Sequence, residues 1–262
     1  MADTVQQAPS AAPLATKTAG YRAVVRRLAS AQKTAHGAPA YSRYANRRLG
    51  RYLAAAAYRA GMTPNQVTAL SALCSAAGIA LLATVQPAAL TGVLVTVALL
   101  LGYALDSADG QLARLRGTSS ISGEWLDHMV DAAKISSMHL AVLIGWYRFG
   151  RVPSEGYLLI PIAFCAVTAV LFFGMTLNDQ LRRVKAATTG VPTPVPSDPS
   201  GLRSLAMVAT DFGVVCAIFL LWGWQDGFLI GYAVLFGAHV VFLALASVKW
   251  FRDMQALDTA GR

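Results

Sequence analysis

Six apolar runs, each about the length of a bilayer crossing, constrain this chain more than any other feature: Val67 to Val85, Ala88 to Leu105, Val130 to Trp146, Tyr157 to Leu177, Leu205 to Trp224 and Phe228 to Val248. A helix needs about 20 mainly apolar residues to cross the hydrocarbon core. The expected fold is therefore all-α, a polytopic membrane protein with six transmembrane helices. A chain of 262 residues that is 55% hydrophobic and only 13% charged is too apolar for a soluble domain of that size.

The charged residues that remain set the orientation. Lys and Arg number 22 against 13 Asp and Glu, a formal balance of +9, and such a chain meets either nucleic acid or an anionic membrane surface. The spans select the membrane, and no nucleic-acid partner is expected. Arg43, Arg47, Arg48, Arg51, Arg59, Arg114, Arg116, Arg182, Arg183, Lys185 and Arg203 fall on one side of the six-span layout, and only Arg148 and Arg151 on the other. The basic side is the cytoplasmic one by the positive-inside rule, so both termini face the cytoplasm and the expected location is the cell's inner membrane.

Four stretches divide the chain: a weakly ordered cytoplasmic tail over 1–39, a juxtamembrane helix over 40–62, the six-helix membrane domain over 63–252 and a short tail over 253–262. The first twenty residues lack the apolar core of a secretory signal. Between Ala40 and Ala60, Tyr44, Leu49, Tyr52, Leu53 and Ala56 recur at helical intervals with arginines between them, the pattern of an amphipathic helix lying on a membrane surface. Thr188 to Gly201 holds four prolines and reads as a loop. Cys74, Cys165 and Cys216 lie apart in apolar runs, outside any metal-ligand spacing, and read as packing residues.

Charge interrupts the spans where the second run gives way to the third. Asp106 and Asp109 are three residues apart, and Asp127 and Asp131 four apart, so each pair shares one face of its helix. The short link makes the two helices antiparallel neighbours, and the four carboxylates are expected to meet. Acids at membrane depth are costly and imply function. Crowded in a partly dry site they would repel one another and take up protons unless cations kept them ionised. Oxygen-only ligands select hard divalent ions, Mg2+ or Mn2+, and four carboxylates suit two ions about 4 Å apart, an arrangement built for a diphosphate. Gly110, Ala113 and Gly123 leave room for a flat base or a phosphate, and Arg114 offers a fork for phosphate oxygens.

These residues spell D-x-x-D-G-x-x-A-R-x8-G-x-x-x-D-x-x-x-D between 106 and 131, which resembles the signature of the CDP-alcohol phosphotransferases. The resemblance implies a transferase that moves a substituted phosphate group from a CDP-linked donor to an alcohol and releases CMP. It implies that Asp106, Asp109, Asp127 and Asp131 share two divalent cations, that Asp131 is also the general base on the acceptor hydroxyl, and that Gly110, Ala113 and Gly123 line the cytidine pocket with Arg114 on the donor phosphates. The turn Thr63-Pro64-Asn65 looks like the family's segment near the nucleotide, and a homodimer is implied as well. None of the motif residues is a nucleophile, so direct attack on the β-phosphorus is expected.

The donor is expected to be a lipid, CDP-diacylglycerol first. The acceptor is open: inositol phosphate, glycerol 3-phosphate, serine, a second lipid, or diacylglycerol with CDP-choline or CDP-ethanolamine as donor. Lys134, one turn beyond Asp131, with Arg182, Arg183 and Arg203, are candidates for an anionic acceptor, against the alternative of ordinary ion pairing and topology-setting charge. His128 reads as a hydrogen-bonded helix residue, and Asp211, inside the fifth run, as a cavity-facing acid. A transporter would also place acids in its spans, but near the midplane in broken helices, and a scaffold leaves the four acids without a purpose.

Overall fold

The computed structural model describes residues 20–30, 41–150, 152–190 and 208–259. Among these residues the chain is helical with no strand. Helix α1 spans Tyr21–Ser30 and α2 Arg47–Arg59, the latter entered through a π-turn at Ser42–Asn46. Next come α3 (Pro64–Thr84), α4 (Ala89–Arg116), α5 (Ile121–Phe149) and α6 (Leu159–Thr189), α6 being preceded by a 3-10 turn at Glu155–Leu158. A short α7 (Phe212–Ala217) continues as a 3-10 turn through Leu221, and α8 runs over Gln225–Thr259.

Among the described residues four helices are long and apolar enough to cross a membrane: α3, α4, the segment Glu155–Thr189 containing α6, and Gln225–Asp258 within α8. The other two expected spans differ for separate reasons. Helix α5 has 29 residues, about 43 Å of helix, but its first turns carry Glu124, Asp127, Asp131 and Lys134. In the described part of the fifth run, the apolar helix Phe212–Leu221 covers roughly half of the hydrocarbon core at about 1.5 Å per residue. Asp211 stands at the N-cap of α7 rather than within a helix, and it lines the cavity that Asp106 and Asp131 share, as expected of it.

The expected juxtamembrane helix is present as helical structure over 41–59, with a division of faces that the apolar spacing alone does not show. Its small residues Gly50, Ala54 and Ala57 are buried, and α2 packs against α4. Tyr44, Leu49 and Tyr52 are exposed on the outside beside Arg43 and Arg48. Within the segment expected to be a weakly ordered tail, α1 instead packs on α2 through buried Val24 and Leu28, which join one apolar cluster with Ala54, Ala55, Val67, Ala108 and Leu112.

Two turns place the future site. Thr63 caps α3 by accepting from the Gln66 backbone N–H while the Gln66 side chain accepts from Thr63, and Pro64 occupies the first helical position, where its missing N–H costs nothing. Between α4 and α5, Gly117 closes α4 at φ +66°, a left-handed conformation that favours glycine, and Ser120 caps α5 by accepting from Gly123 N–H. Only four residues separate the two helices, so they must turn back on each other. Helix α3 is drawn close to α4 at Gly102, whose carbonyl accepts from the Ser71 hydroxyl at 2.8 Å. The main core lies away from the acids, built on Trp146, Phe164, Phe219, Phe228 and Tyr232 from α5, α6, the α7 extension and α8.

Candidate active site

Asp106 stands on α4, and Asp127 and Asp131 stand one turn apart on α5. One carboxylate oxygen of each lies within 4.8 Å of the others. Lys134, buried one turn beyond Asp131, puts its ammonium 2.5 Å from Asp131 Oδ1 and 3.8 Å from Asp106 Oδ1. Both oxygens are buried, with the Lys134 ammonium beside them. Three carboxylates against one ammonium leave a formal deficit of two positive charges, so the hard oxygen donors and their spacing fit a divalent cation.

The fourth acid is held differently. Asp109 is buried, and its Oδ2 accepts from the Thr68 hydroxyl at 2.5 Å; Thr68 also reaches the Pro64 carbonyl at 3.2 Å. Asp109 is thus not one of the three that converge, and it is aimed by α3. Sequence reasoning missed Thr68. Its signal was a polar residue one turn inside an apolar run, directly after the capped start of α3.

The positions expected around a nucleotide sit at the same end of the helices. A Cβ at Gly110 would meet only Arg114 Nη1, at 3.4 Å, so the space over Gly110 is open. A Cβ at Gly123 would come 3.5 Å from Asn65 Oδ1, which brings the Thr63-Pro64-Asn65 turn beside the start of α5. Ala113 is half-buried and Arg114 exposed. Thr63 and Pro64 carry the helix cap, leaving Asn65 as the residue of that turn turned toward Gly123.

Asp106, Asp131 and Lys134 line a cavity of about 390 Å3 that continues between α5, α6 and α8 over Met138, Leu171, Phe172 and Phe242 to His139 and His239. His139 Nδ1 is bonded to the Tyr232 hydroxyl at 2.7 Å, and His239 Nδ1 donates to the Leu235 carbonyl. His128 donates to the Glu124 carbonyl, the structural role expected of it. The arginine candidates for an acceptor are engaged elsewhere: Arg182 pairs with Asp253 at 2.5 Å, and Arg183 pairs with Glu124 and Asp179 at 2.6 and 2.7 Å. Arg203 lies outside the described residues.

A polar, acid-lined end opening into an apolar chamber suits a charged headgroup attached to a lipid. The family profile described as CDP-alcohol phosphatidyltransferase matches residues 61–248, from the turn before α3 to near the end of α8. The chain belongs to the CDP-alcohol phosphatidyltransferase family. It is accordingly a transferase of substituted phosphate groups, and its four apolar helices fit the integral membrane proteins of that family. Membership implies a CDP-alcohol donor and an alcohol acceptor, and the family is typically dependent on divalent cations. No curated protein matches the chain.

Proposed function

We propose that this CDP-alcohol phosphatidyltransferase moves a phosphatidyl group from CDP-diacylglycerol to an alcohol and releases CMP, as a step of phospholipid biosynthesis. The observation that carries the reading is the convergence of Asp106, Asp127 and Asp131 with Lys134 beside a largely apolar cavity that Asp106, Asp131 and Lys134 line. Asp106, Asp127 and Asp131 would hold one divalent cation, Mg2+ or Mn2+, and Asp109, aimed by Thr68, would serve a second. Bound there, the cations supply Lewis-acid charge against the donor diphosphate and the departing CMP.

The protein's own groups divide the remaining work. Asp131 takes the proton of the acceptor hydroxyl as that oxygen attacks the β-phosphorus, general-base catalysis within reach of the reacting atoms. Gly110, Ala113 and Gly123 leave the nucleotide its space, Asn65 borders it, and Arg114 steadies donor phosphate with its planar fork. Lys134, buried beside Asp131 and Asp106 and lining the cavity, is placed to meet an anionic acceptor. The apolar chamber beyond it excludes water from the site.

The reading includes a six-span chain, with α5 and the fifth run completing the four apolar helices, and a cytoplasmic site in the inner membrane. The exposed Tyr44, Leu49 and Tyr52 beside arginines support α2 as a helix lying at the headgroup level. A homodimer belongs to the same reading by family.

A second reading has its own support. The apolar lining at Met138, Leu171 and Phe172 suits diacylglycerol as acceptor, with CDP-choline or CDP-ethanolamine as donor. The purified protein, given CDP-diacylglycerol, Mg2+ or Mn2+ and single alcohols in turn, is expected to release CMP with one alcohol and to stop on adding a chelator. Release only with diacylglycerol and a CDP-amino-alcohol establishes the second reading, and no release in either set rejects both.

A further inference from the structure

Asp211 is nearly fully buried, at 1% exposure, and no Lys, Arg or His lies within ion-pair distance of it among the described residues. Its two oxygens go to two different segments. Oδ1 accepts from Gly213 N–H at 3.0 Å and caps α7; Oδ2 accepts from Ser42 N–H at 3.0 Å, at the first turn of the segment that becomes α2. A second connection runs in parallel. Tyr41, next to Ser42, stacks on Tyr103 at 6.3 Å, Tyr103 meets the edge of Phe212 at 5.1 Å, and the Phe212 ring lies 5.0 Å from Lys134 Nζ. The neighbours Asp211 and Phe212 therefore link the surface segment on one side to the Lys134 ammonium on the other.

This arrangement has a physical reason. Helix α7 has only six residues; Val215 and Cys216 seat its body in the core, and the Asp211 bonds fix its N-terminal end, where Phe212 stands. The ring over Lys134 opposes the pull of Asp131 and Asp106, a cation–π contact that strengthens where water is excluded. The ammonium already touches Asp131 at 2.5 Å and the Phe212 ring packs 5.0 Å from it, so moving Phe212 would change where the ammonium sits between the carboxylates and the cavity.

We infer that Asp211 is a positioning residue for the acceptor side of the site, tying α7 to the surface segment at Ser42 so that Phe212 holds Lys134 toward the cavity. The inference rests on the proposed role of Lys134 toward the acceptor. It makes the surface segment part of the site's architecture, since a shift of Tyr41 and Ser42 is felt at Lys134 through one hydrogen bond and one aromatic stack.

Asn and Ser cap helices about as well as Asp. Asp211→Asn and Asp211→Ser therefore keep the bond to Gly213 while losing the second carboxylate oxygen that receives Ser42. Each is expected to raise the acceptor KM about tenfold, the scale of one lost hydrogen bond to a charged group, with kcat and donor KM within about twofold. In a Lys134→Met background the same substitutions should add nothing further, because the effect runs through the ammonium. An equal rise in the Met background, or a fall in kcat and donor affinity together with the acceptor effect, overturns the inference. A wild-type protein that releases no CMP with any alcohol instead removes the proposed function, and the tether is then read without activity. Spin labels at Tyr52→Cys and Leu220→Cys, with the native cysteines replaced, should give a narrow distance distribution that broadens in Asp211→Asn; an unchanged distribution overturns the tether.

Discussion

Thr68 donates its hydroxyl to Asp109 Oδ2 at 2.5 Å, across the gap between α3 and α4. The bond orients an acid that does not converge with the other three. Helix α3 thus contributes an orienting contact to a site whose acids all come from α4 and α5.

Thr68→Val keeps shape and removes the donor. CMP release is expected to fall about tenfold, by analogy with hydrogen bonds to charged groups elsewhere, while Thr68→Ser retains most of it. Thermal unfolding in detergent should shift little, and a Val variant with wild-type turnover would remove Thr68 from the machinery.

Asp131→Asn should reduce turnover by about two to four orders of magnitude, the range for a lost general base. Donor binding measured by equilibrium titration should survive. Loss of binding to the same extent would recast Asp131 as a metal ligand before anything else.

Gly110 lies in the interior of α4 with open space above it. Alanine there should stabilise the fold by about 0.5–1 kcal/mol, since glycine is the poorer helix former, yet raise the donor KM. Stability and donor affinity moving in opposite directions is the signature of a residue kept small for a ligand; a Gly110→Ala protein with unaltered donor KM would show that no ligand uses that space.

Arg183 is half-exposed and committed to Glu124 and Asp179. Arg183→Ala should cost less than about 1 kcal/mol of stability, as exposed pairs do, and leave the acceptor KM within twofold. A larger rise in acceptor KM, with CMP release as the readout, would place this guanidinium in the acceptor pocket after all.

What the sequence made legible was local. Asp106, Asp127, Asp131 and Lys134 were found because spacings of three and four residues put side chains on one helix face whatever the rest of the chain does. The Thr63 cap and the Gly117 turn follow the same local chemistry. Thr68, Asp211 and the buried face of α2 depend on partners 41, 169 and more than 50 residues away, and no periodicity carries that information. On α2 the large residues drew attention while the buried contact is made by Gly50, Ala54 and Ala57, chosen for closeness rather than hydrophobicity. Within the fifth run the sequence shows hydropathy but not the break at Asp211, which caps α7 through a bond to Gly213.

The four-residue turn between α4 and α5 also bears on how the chain is made. Every expected cation ligand and the ammonium that offsets two of them lie on one helical hairpin, so they reach the translocation machinery together and enter the bilayer as neighbours. Lys134 travels one turn behind Asp131 on the same helix, which lets the pair enter with much of its charge already matched. Helices α6, α7 and α8 follow that hairpin in the chain, and the chamber they close lies beside acids carried by earlier helices.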